Sequence, residues 1–223
     1  MQQGSTRAEE GVKGGAPSPT LAGVATEDDG APGLWAPLRP EEVGPLLSTY
    51  GGRWWIAGGL ALELHVGRSW RSHEDIDVGI VRGEAPTIVP ALAGAGIEAF
   101  VAASGHLRPW DGRTLDEERH ENNVWCREPG GPWLLDLQIG SGDEDGWIYS
   151  RDPSIRAPWV TAVLRSNGVP YLAPEIQMLF KSTHLRERDD SDAREVIPAL
   201  DPEARARLQE WLPEGHPWHR LMG

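Results

Sequence analysis

Two aspartates two positions apart are the first residues in this chain whose spacing suggests chemistry. Asp75 and Asp77 stand in the run HEDIDVGI, where Ile76, Val78 and Ile80 alternate with them. A β-strand points alternate side chains to opposite faces and rises about 3.3 Å per residue, so the two carboxylates would share one face about 6.6 Å apart. Because Mg²⁺ prefers oxygen ligands, such a pair is a candidate metal site.

A third aspartate, Asp136, interrupts a second apolar run, WLLDLQI. A carboxylate in the middle of an apolar strand is uncommon unless it has a partner. If the two strands are neighbours, Asp136 can complete a second metal site or accept the proton of an attacking hydroxyl. Asp111 and Asp116 compete for this role, but they lie in a region without a strand pattern.

The glycine pair Gly58-Gly59 lies between the apolar run WWIA and the helical run LALELHV. Glycine allows a tight turn and a close approach of the backbone to a ligand. The N–H groups and the dipole at a helix N-terminus favour phosphate oxygens. Although a glycine pair is often only a turn, its position before two strand acids predicts a phosphate-binding turn.

Three basic side chains are candidate contacts for the same ligand. Arg71 can bind phosphate or pair with Glu74. His73 can lie beside a phosphate or metal, or it can fix its loop by hydrogen bonding. Lys181 can neutralise a phosphate as a point charge, or it can be a surface lysine beside a buried helix stripe.

Composition limits the classes of protein that fit. The chain has 223 residues, 39% hydrophobic residues and a net charge of −13, which suits a globular fold and argues against a binder of nucleic-acid backbones. The acidic surface would attract a cationic small molecule. With one cysteine, Cys126, no internal disulfide forms, and a small buried thiol is expected. Neither a membrane span nor a signal peptide is apparent, which predicts a cytoplasmic location and no membrane partner.

Hydrophobic periodicity predicts both helices and strands, hence an α+β fold. The predicted domains are a disordered tail over 1–35, a catalytic domain over 36–172 and a helical region over 173–223. Most of the predicted elements precede residue 140: a helix from Pro40, strands over 54–57 and 75–80, helices over 60–66 and 85–95, a strand over 97–103, and a hairpin of 122–127 with 133–139.

The remaining expectations concern a loop and the C-terminal third of the chain. Residues 104–121 show no clear period, which predicts a functional or mobile loop. The dipeptide Asn167-Gly168 predicts a hairpin that joins 160–164 to 169–172. Helices are expected from Pro174, from a cap at 189–191 and from Asp201. Most tryptophans are expected in the core, although Trp110 and Trp125 can stack on a base or sugar.

The pattern Gly58-Gly59, then His73-x-Asp75-x-Asp77, then a later strand acid resembles the polymerase-β-like nucleotidyltransferase superfamily. Within it, the run AGGLALELHVGRSWRSHEDIDVGI is most similar to the aminoglycoside 2''-adenylyltransferase and lincosamide nucleotidyltransferase group. The similarity includes the Gly67-Arg68 pair and Arg71-x-His73 and spans about residues 54–81. The later run PEIQMLFKS, with Asp189 and Asp192, is similar to the C-terminal part of related chains.

This resemblance implies a mixed sheet flanked by helices and followed by a small helical region. It also implies a Mg²⁺-dependent enzyme that transfers a nucleoside monophosphate, AMP from ATP or its equivalent from another NTP, to a hydroxyl of a small molecule. Asp75, Asp77 and Asp136 are then the expected catalytic and metal-binding residues for two Mg²⁺ ions. The nucleotide would contact Gly58, Gly59, Arg71, His73 and Lys181. An aminoglycoside-like acceptor fits the resemblance and the acidic charge, whereas an antitoxin-like protein that binds or modifies a partner toxin is the alternative.

Overall fold

The computed structural model describes residues 34–223 and the backbone of Ala25–Thr26. The tail predicted over 1–35 therefore lies largely outside the described residues. Its described parts pair with the fold. Ala25–Thr26 is a short strand, and Trp35 forms a parallel bridge with Trp133. The boundaries at residues 36 and 173 stay predictions.

The described chain contains both helices and strands, as the periodicity predicts. The strands are β1 (Ala25–Thr26), β2 (Trp54–Ile56), β3 (Asp77–Val81), β4 (Glu98–Ala103), β5 (His106–Pro109), β6 (Asn123–Arg127), β7 (Trp133–Gly142), β8 (Gly146–Ile148), β9 (Arg156–Pro158), β10 (Val163–Ser166) and β11 (Val169–Leu172). The α-helices are α1 (Pro40–Leu46), α2 (Gly58–Val66), α3 (Val89–Gly94), α4 (Trp159–Ala162), α5 (Pro174–Ser182), α6 (Glu187–Val196) and α7 (Pro202–Trp211). Short 3₁₀ turns occupy Ala85–Ile88, Ile197–Ala199 and Pro217–Leu221.

The strands form one mixed sheet, which confirms the predicted fold class. Its order is β1-β5-β4-β6-β7-β3-β2-β11-β10, with β8 and β9 attached at the end of β7. The two predicted acid-bearing strands, β3 and β7, are adjacent and parallel at the centre of the sheet, whereas β2 and β3 are antiparallel. The sheet therefore places the two candidate acid segments side by side.

The prediction of an unstructured loop over 104–121 is wrong at its start. Ser104 and Gly105 both have positive φ and form a two-residue turn, after which β5 pairs with β4. Since Leu107 is the one apolar core residue of β5, the strand has no alternating pattern to reveal it. The later part is a loop that is tied down by the buried Glu121, which accepts hydrogen bonds from Arg113 at 2.7 Å and from the Asp116 backbone at 2.8 Å.

Two predicted boundaries near the C-terminus are also wrong. Residues 159–162 are helical, because Pro158 opens a helical turn in which the Thr161 hydroxyl donates to its carbonyl. The next strand therefore begins at Val163. Helix α6 begins at Glu187 instead of after a cap at 189–191. Asp189 accepts a hydrogen bond from the Arg186 backbone at 3.2 Å, and it is thus inside the first turn.

The core confirms the expected burial of the one cysteine. Cys126 is a fully buried thiol, and Ile176, Leu179 and Leu208 of the C-terminal helices are also buried. Trp110 packs in the main core, and Trp125 packs with Trp133 in a second cluster, so both serve as core residues. Among the helices that the structure describes, none has the length and hydrophobicity needed to cross a bilayer.

Candidate active site

Asp77 and Asp136 face each other across adjacent strands. They are directly paired in the parallel register of β3 and β7, so their side chains lie on the same face of the sheet. Asp77 is partly buried, and Asp136 is only 6% exposed. The structure thus brings together two of the three predicted acids.

Asp75 is not on the strand, contrary to the prediction. It lies in an exposed bend before β3. The ladder between β2 and β3 stops because the Ala57 N–H donates to the Asp77 carbonyl at 2.9 Å and the chain then turns into α2. No β2 residue is left to pair with Asp75. Its charge nevertheless acts on Asp77, so the three acids still form one cluster, which we call the carboxylate site.

Two amide side chains hold the buried acids. The Gln138 Nε2 donates to Asp77 Oδ1 and to Asp136 Oδ2, at 2.9 Å in each case. The Asn123 Nδ2 also donates to Asp136 Oδ2 at 2.9 Å. The other oxygen of this carboxylate, Asp136 Oδ1, is buried and accepts no well-aligned hydrogen bond from the described residues, although the Trp125 indole interacts with the carboxylate and lowers its pKa. This oxygen therefore still has lone pairs that can bind a cation or a proton inside the site.

Electrostatics at the carboxylate site oppose full ionisation. Burial, and then the Asp75 carboxylate, raise the pKa of Asp77 to about 6. Burial, followed by the charge of Asp77, raises the pKa of Asp136 well above its ordinary value. A cation would relieve both effects, because it compensates for lost hydration and for repulsion between the acids.

The donor set fits Mg²⁺. All three acids supply oxygen, and Asp136 Oδ1 accepts no well-aligned hydrogen bond within the part of the chain that the structure describes. Among the described residues, no group of three or more His, Cys, Asp or Glu side chains is arranged to hold a metal ion. A Mg²⁺ ion at this site would therefore need further ligands from water and substrate phosphates, which Mg²⁺ commonly keeps in its shell.

The pKa of Asp77 predicts how stability changes with pH in the absence of metal. The raised pKa means that the folded state binds a proton more tightly than the unfolded state, so the contribution of Asp77 to stability falls as pH rises from about 4 to 6. Asp77→Asn removes this cost. We expect it to stabilise the metal-free protein by about 3 kcal/mol at pH 7.5 and by about 1 kcal/mol at pH 4.5.

Urea unfolding in EDTA at the two pH values measures this difference. Asp145→Asn is the matched control, because the Asp145 side chain is exposed and makes no ion pair in the described structure. A gain for Asp77→Asn that is equal at both pH values would contradict the expectation.

The glycine pair lies directly against the polar side chains of the site. Gly58 begins α2 with a φ of +65°, and a Cβ there would overlap the Asp77 carboxylate. A Cβ at Gly59 would overlap the Arg71 guanidinium and the His73 ring. The Gly58 N–H donates to Gln177 Oε1 at 2.8 Å. Only glycine leaves room here for both the helix start and its neighbours.

Arg71 and Lys181 pair with two buried carboxylates of α6, those of Asp189 and Asp192. Arg71 Nε lies 3.1 Å from Asp192 Oδ1, so its partner is Asp192 and not Glu74. Lys181 Nζ lies 2.9 Å from Asp189 and 3.0 Å from Asp192. The Lys181 side chain is 9% exposed, which excludes the surface-lysine alternative. Asp189 and Asp192 are completely buried.

His73 is held between two neighbours. Arg71 Nη1 lies 3.1 Å from His73 Nδ1, and His73 Nε2 lies 3.2 Å from Glu63 Oε1. Because a guanidinium can only donate, Nδ1 accepts and the ring proton is on Nε2, which makes no well-aligned hydrogen bond in the described structure. His73 therefore fixes its loop and the position of Arg71, as one of its two predicted roles requires.

These residues line a polar cleft of about 570 Å³ that runs from the carboxylate site to α6. All eight predicted site residues contribute to its lining, whereas Asp111 and Asp116 do not. The cleft is also lined by Gln138, Gln177 and Arg188, for which the sequence predicted no role. Gln138 had a detectable signal, since it follows Asp136 by two positions and so shares its strand face. The eight assignments to metal and nucleotide remain predictions.

Comparison with known proteins supports the resemblance over the segment that carries the glycine pair and two of the acids. Residues 41–109 match the family model described as Aminoglycoside-2''-adenylyltransferase. This match confirms the predicted similarity to the nucleotidyltransferase group, whose members are enzymes. No curated protein sequence matches the chain.

Structural comparison aligns this chain with solved nucleotidyltransferases at TM-scores below 0.5. One is the lincosamide antibiotic adenylyltransferase LnuA with bound lincomycin, at 16% identity and a TM-score of 0.46 over 77% of this chain and 95% of that one. Another is ANT(2'')-Ia in complex with adenylyl-2''-tobramycin, at 12% identity and a TM-score of 0.49 over 77% and 93%. A nucleotidyltransferase-like antigenic protein from Paracoccidioides brasiliensis has 20% identity and a TM-score of 0.40 over 79% and 76%.

Proposed function

We propose that this protein is a Mg²⁺-dependent nucleotidyltransferase that moves AMP from ATP onto a hydroxyl of a small molecule. The observation that carries the proposal is the direct pairing of Asp77 with Asp136 beside the Gly58-Gly59 helix start. This arrangement combines oxygen ligands for a divalent cation with a backbone site for phosphate. The matched family segment, which includes Asp75 and Asp77, supports the same reaction.

The reaction needs a bond change at the α-phosphorus. The acceptor oxygen bonds to this phosphorus, the bond to the β-phosphate oxygen breaks, and pyrophosphate leaves. Asp75 and Asp77 would hold Mg²⁺, which would neutralise phosphate charge and align the reacting oxygens. We assign the acceptor proton to the Asp136 carboxylate, because burial raises its pKa well above the ordinary value.

The helix start and the basic side chains would hold the leaving pyrophosphate. Gly58 and Gly59 present the N-terminus of α2 to the cleft, where the helix dipole favours negative charge. Arg71 and Lys181 face the same cleft, although Asp189 and Asp192 already neutralise much of their charge. We therefore expect these two residues to contribute mainly as rigid contacts for the substrate, which lowers the entropy lost when the substrate is oriented.

Arg188 supplies a less compensated charge. It is exposed on the cleft-facing side of α6, makes no ion pair in the described structure, and its charge lowers the pKa of Asp77. We expect Arg188→Ala to raise the KM for ATP about 5- to 10-fold, the effect of one exposed charge-assisted hydrogen bond, with kcat little changed.

Steady-state kinetics against Arg194→Ala tests this expectation. Arg194 is an exposed arginine on the same helix that does not line the cleft, so the control removes the same charge. Equal changes in KM for the two variants would show that only the overall charge matters.

We propose an aminoglycoside-like antibiotic as the first acceptor to test. The net charge of −13 would attract a polycationic acceptor. The test incubates the protein with Mg²⁺, each NTP and a panel of aminoglycosides and lincosamides, followed by mass spectrometry of each acceptor. An acceptor heavier by one nucleoside monophosphate is the expected product. An acceptor heavier by one phosphate alone would contradict nucleotidyl transfer. The comparisons give no support to the antitoxin alternative.

A further inference from the structure

A second pocket adjoins the carboxylate site, and no residue of α6 lines it. It has a volume of about 230 Å³ and is lined by Trp55, Trp147 and Phe180, among others; we call it the tryptophan pocket. Asp77 lines both the tryptophan pocket and the polar cleft. A molecule that reacts at the carboxylate site can therefore extend into either space.

The chemistry of the two spaces differs. The polar cleft contains Arg71, Lys181, Arg186 and Arg188. None of these lines the tryptophan pocket, whose one charged residue is Asp77. The pocket therefore suits an uncharged group, and the cleft suits phosphates.

The walls of the tryptophan pocket are preformed. Gly79 lies directly against the Trp55 indole, since a Cβ there would overlap its ring, and Gly140 lies close to the same ring. The Trp147 and Phe180 rings meet edge to face with centroids 5.9 Å apart. Trp55 is 3% exposed and Trp147 is 1% exposed, whereas Phe180 is only partly buried. Of these three aromatic residues, Phe180 therefore has the most surface left to contact a ligand.

We infer that the tryptophan pocket binds the base of the nucleotide. This inference rests on the proposed function. A planar heteroaromatic ring stacks on aromatic side chains, and the phosphates of the same molecule can reach the polar cleft past Asp77. The pocket is smaller than the roughly 300–1,000 Å³ typical of sites that enclose a drug-sized ligand. It thus accommodates a base better than a whole polyamine antibiotic, which would also find little opposite charge there.

The test compares ATP with inorganic tripolyphosphate as ligands of the full chain by calorimetry in Mg²⁺. Phe180→Leu keeps an apolar side chain but removes the aromatic face. We expect it to weaken ATP binding about 5- to 10-fold and to change tripolyphosphate binding less than about 2-fold. Trp147→Phe is a second variant that retains a ring in the wall, and it should weaken ATP binding less than Phe180→Leu.

The chain offers a matched control, because its one other phenylalanine is Phe100. Phe100 packs against Trp133 in the second cluster, outside both spaces, and Phe100→Leu should leave both affinities unchanged. Unchanged ATP affinity in Phe180→Leu would overturn the inference, and so would a higher KM for the acceptor with ATP affinity intact. If the unmodified protein bound neither ATP nor tripolyphosphate, the proposed function itself would fail.

Discussion

Asp77→Asn is expected to reduce nucleotide transfer at least about 1,000-fold while the protein stays folded. Asp77 is paired with Asp136 and is the acid that adjoins both the polar cleft and the tryptophan pocket. Asparagine retains the shape and can still accept the hydrogen bond from Gln138, but it removes the charge that a metal requires. Product formation per minute, measured by mass spectrometry with saturating ATP, gives the effect.

Two further measurements separate loss of chemistry from loss of structure. The circular dichroism spectrum of Asp77→Asn should match that of the unmodified protein, and Mg²⁺ should raise the melting temperature of the unmodified protein in ATP but not that of the variant. Asp145→Asn, an exposed neutralisation of the same kind, should retain full activity. Normal turnover by Asp77→Asn would refute the metal-site hypothesis.

Asp192→Asn is expected to lower the free energy of unfolding by about 3 kcal/mol and to raise the KM for ATP. The Asp192 side chain is fully buried and contacts Arg71, Lys181 and the Trp70 indole, which donates at 3.0 Å. Although burial opposes ionisation, the Arg71 hydrogen bond and the Lys181 charge hold the pKa of Asp192 below its usual value. Neutralising this group leaves two cations with less compensation, and it loosens Arg71 at the cleft.

Glu195→Gln is the matched control for this prediction. Glu195 lies on the same helix and pairs with Arg68 at the surface, with 34% of its side chain exposed. Exposed pairs contribute little, so this variant should stay within about 0.5 kcal/mol of the unmodified protein in urea unfolding. An equally small effect of Asp192→Asn would mean that the buried cluster does not position the basic side chains.

Because strand geometry is regular, it was possible to predict from the sequence that Asp77 and Asp136 lie close together. Asp136 was predicted from its place in an alternating apolar strand, and the structure puts it opposite Asp77. Asp75 was placed on the strand by the same period of two. That prediction failed because the chain turns at Gly58 and leaves no pairing partner for Asp75. Periodicity indicates which residues can form a strand, but it does not indicate where the neighbouring strand ends.

Partners that are distant in sequence could not be predicted from one chain. Arg71 and Asp192 are 121 positions apart, and no local rule connects them, whereas Glu74 is close by. The strand His106–Pro109 was missed for a related reason. It is held by pairing with β4 and has one core side chain, Leu107. Local propensity therefore predicted the elements, but tertiary contacts decided the partners of the basic residues.

The central claim is that the α-phosphoryl group of the nucleotide passes to an acceptor at Asp77 and Asp136. The most direct test supplies ATP labelled at either the α- or the γ-phosphate, with Mg²⁺ and the acceptor panel, to the unmodified protein and to Asp77→Asn. We predict that α-label enters an acceptor with the unmodified protein alone, and that γ-label appears only in pyrophosphate. Transfer of γ-label to an acceptor, or equal transfer of α-label by Asp77→Asn, would contradict the account.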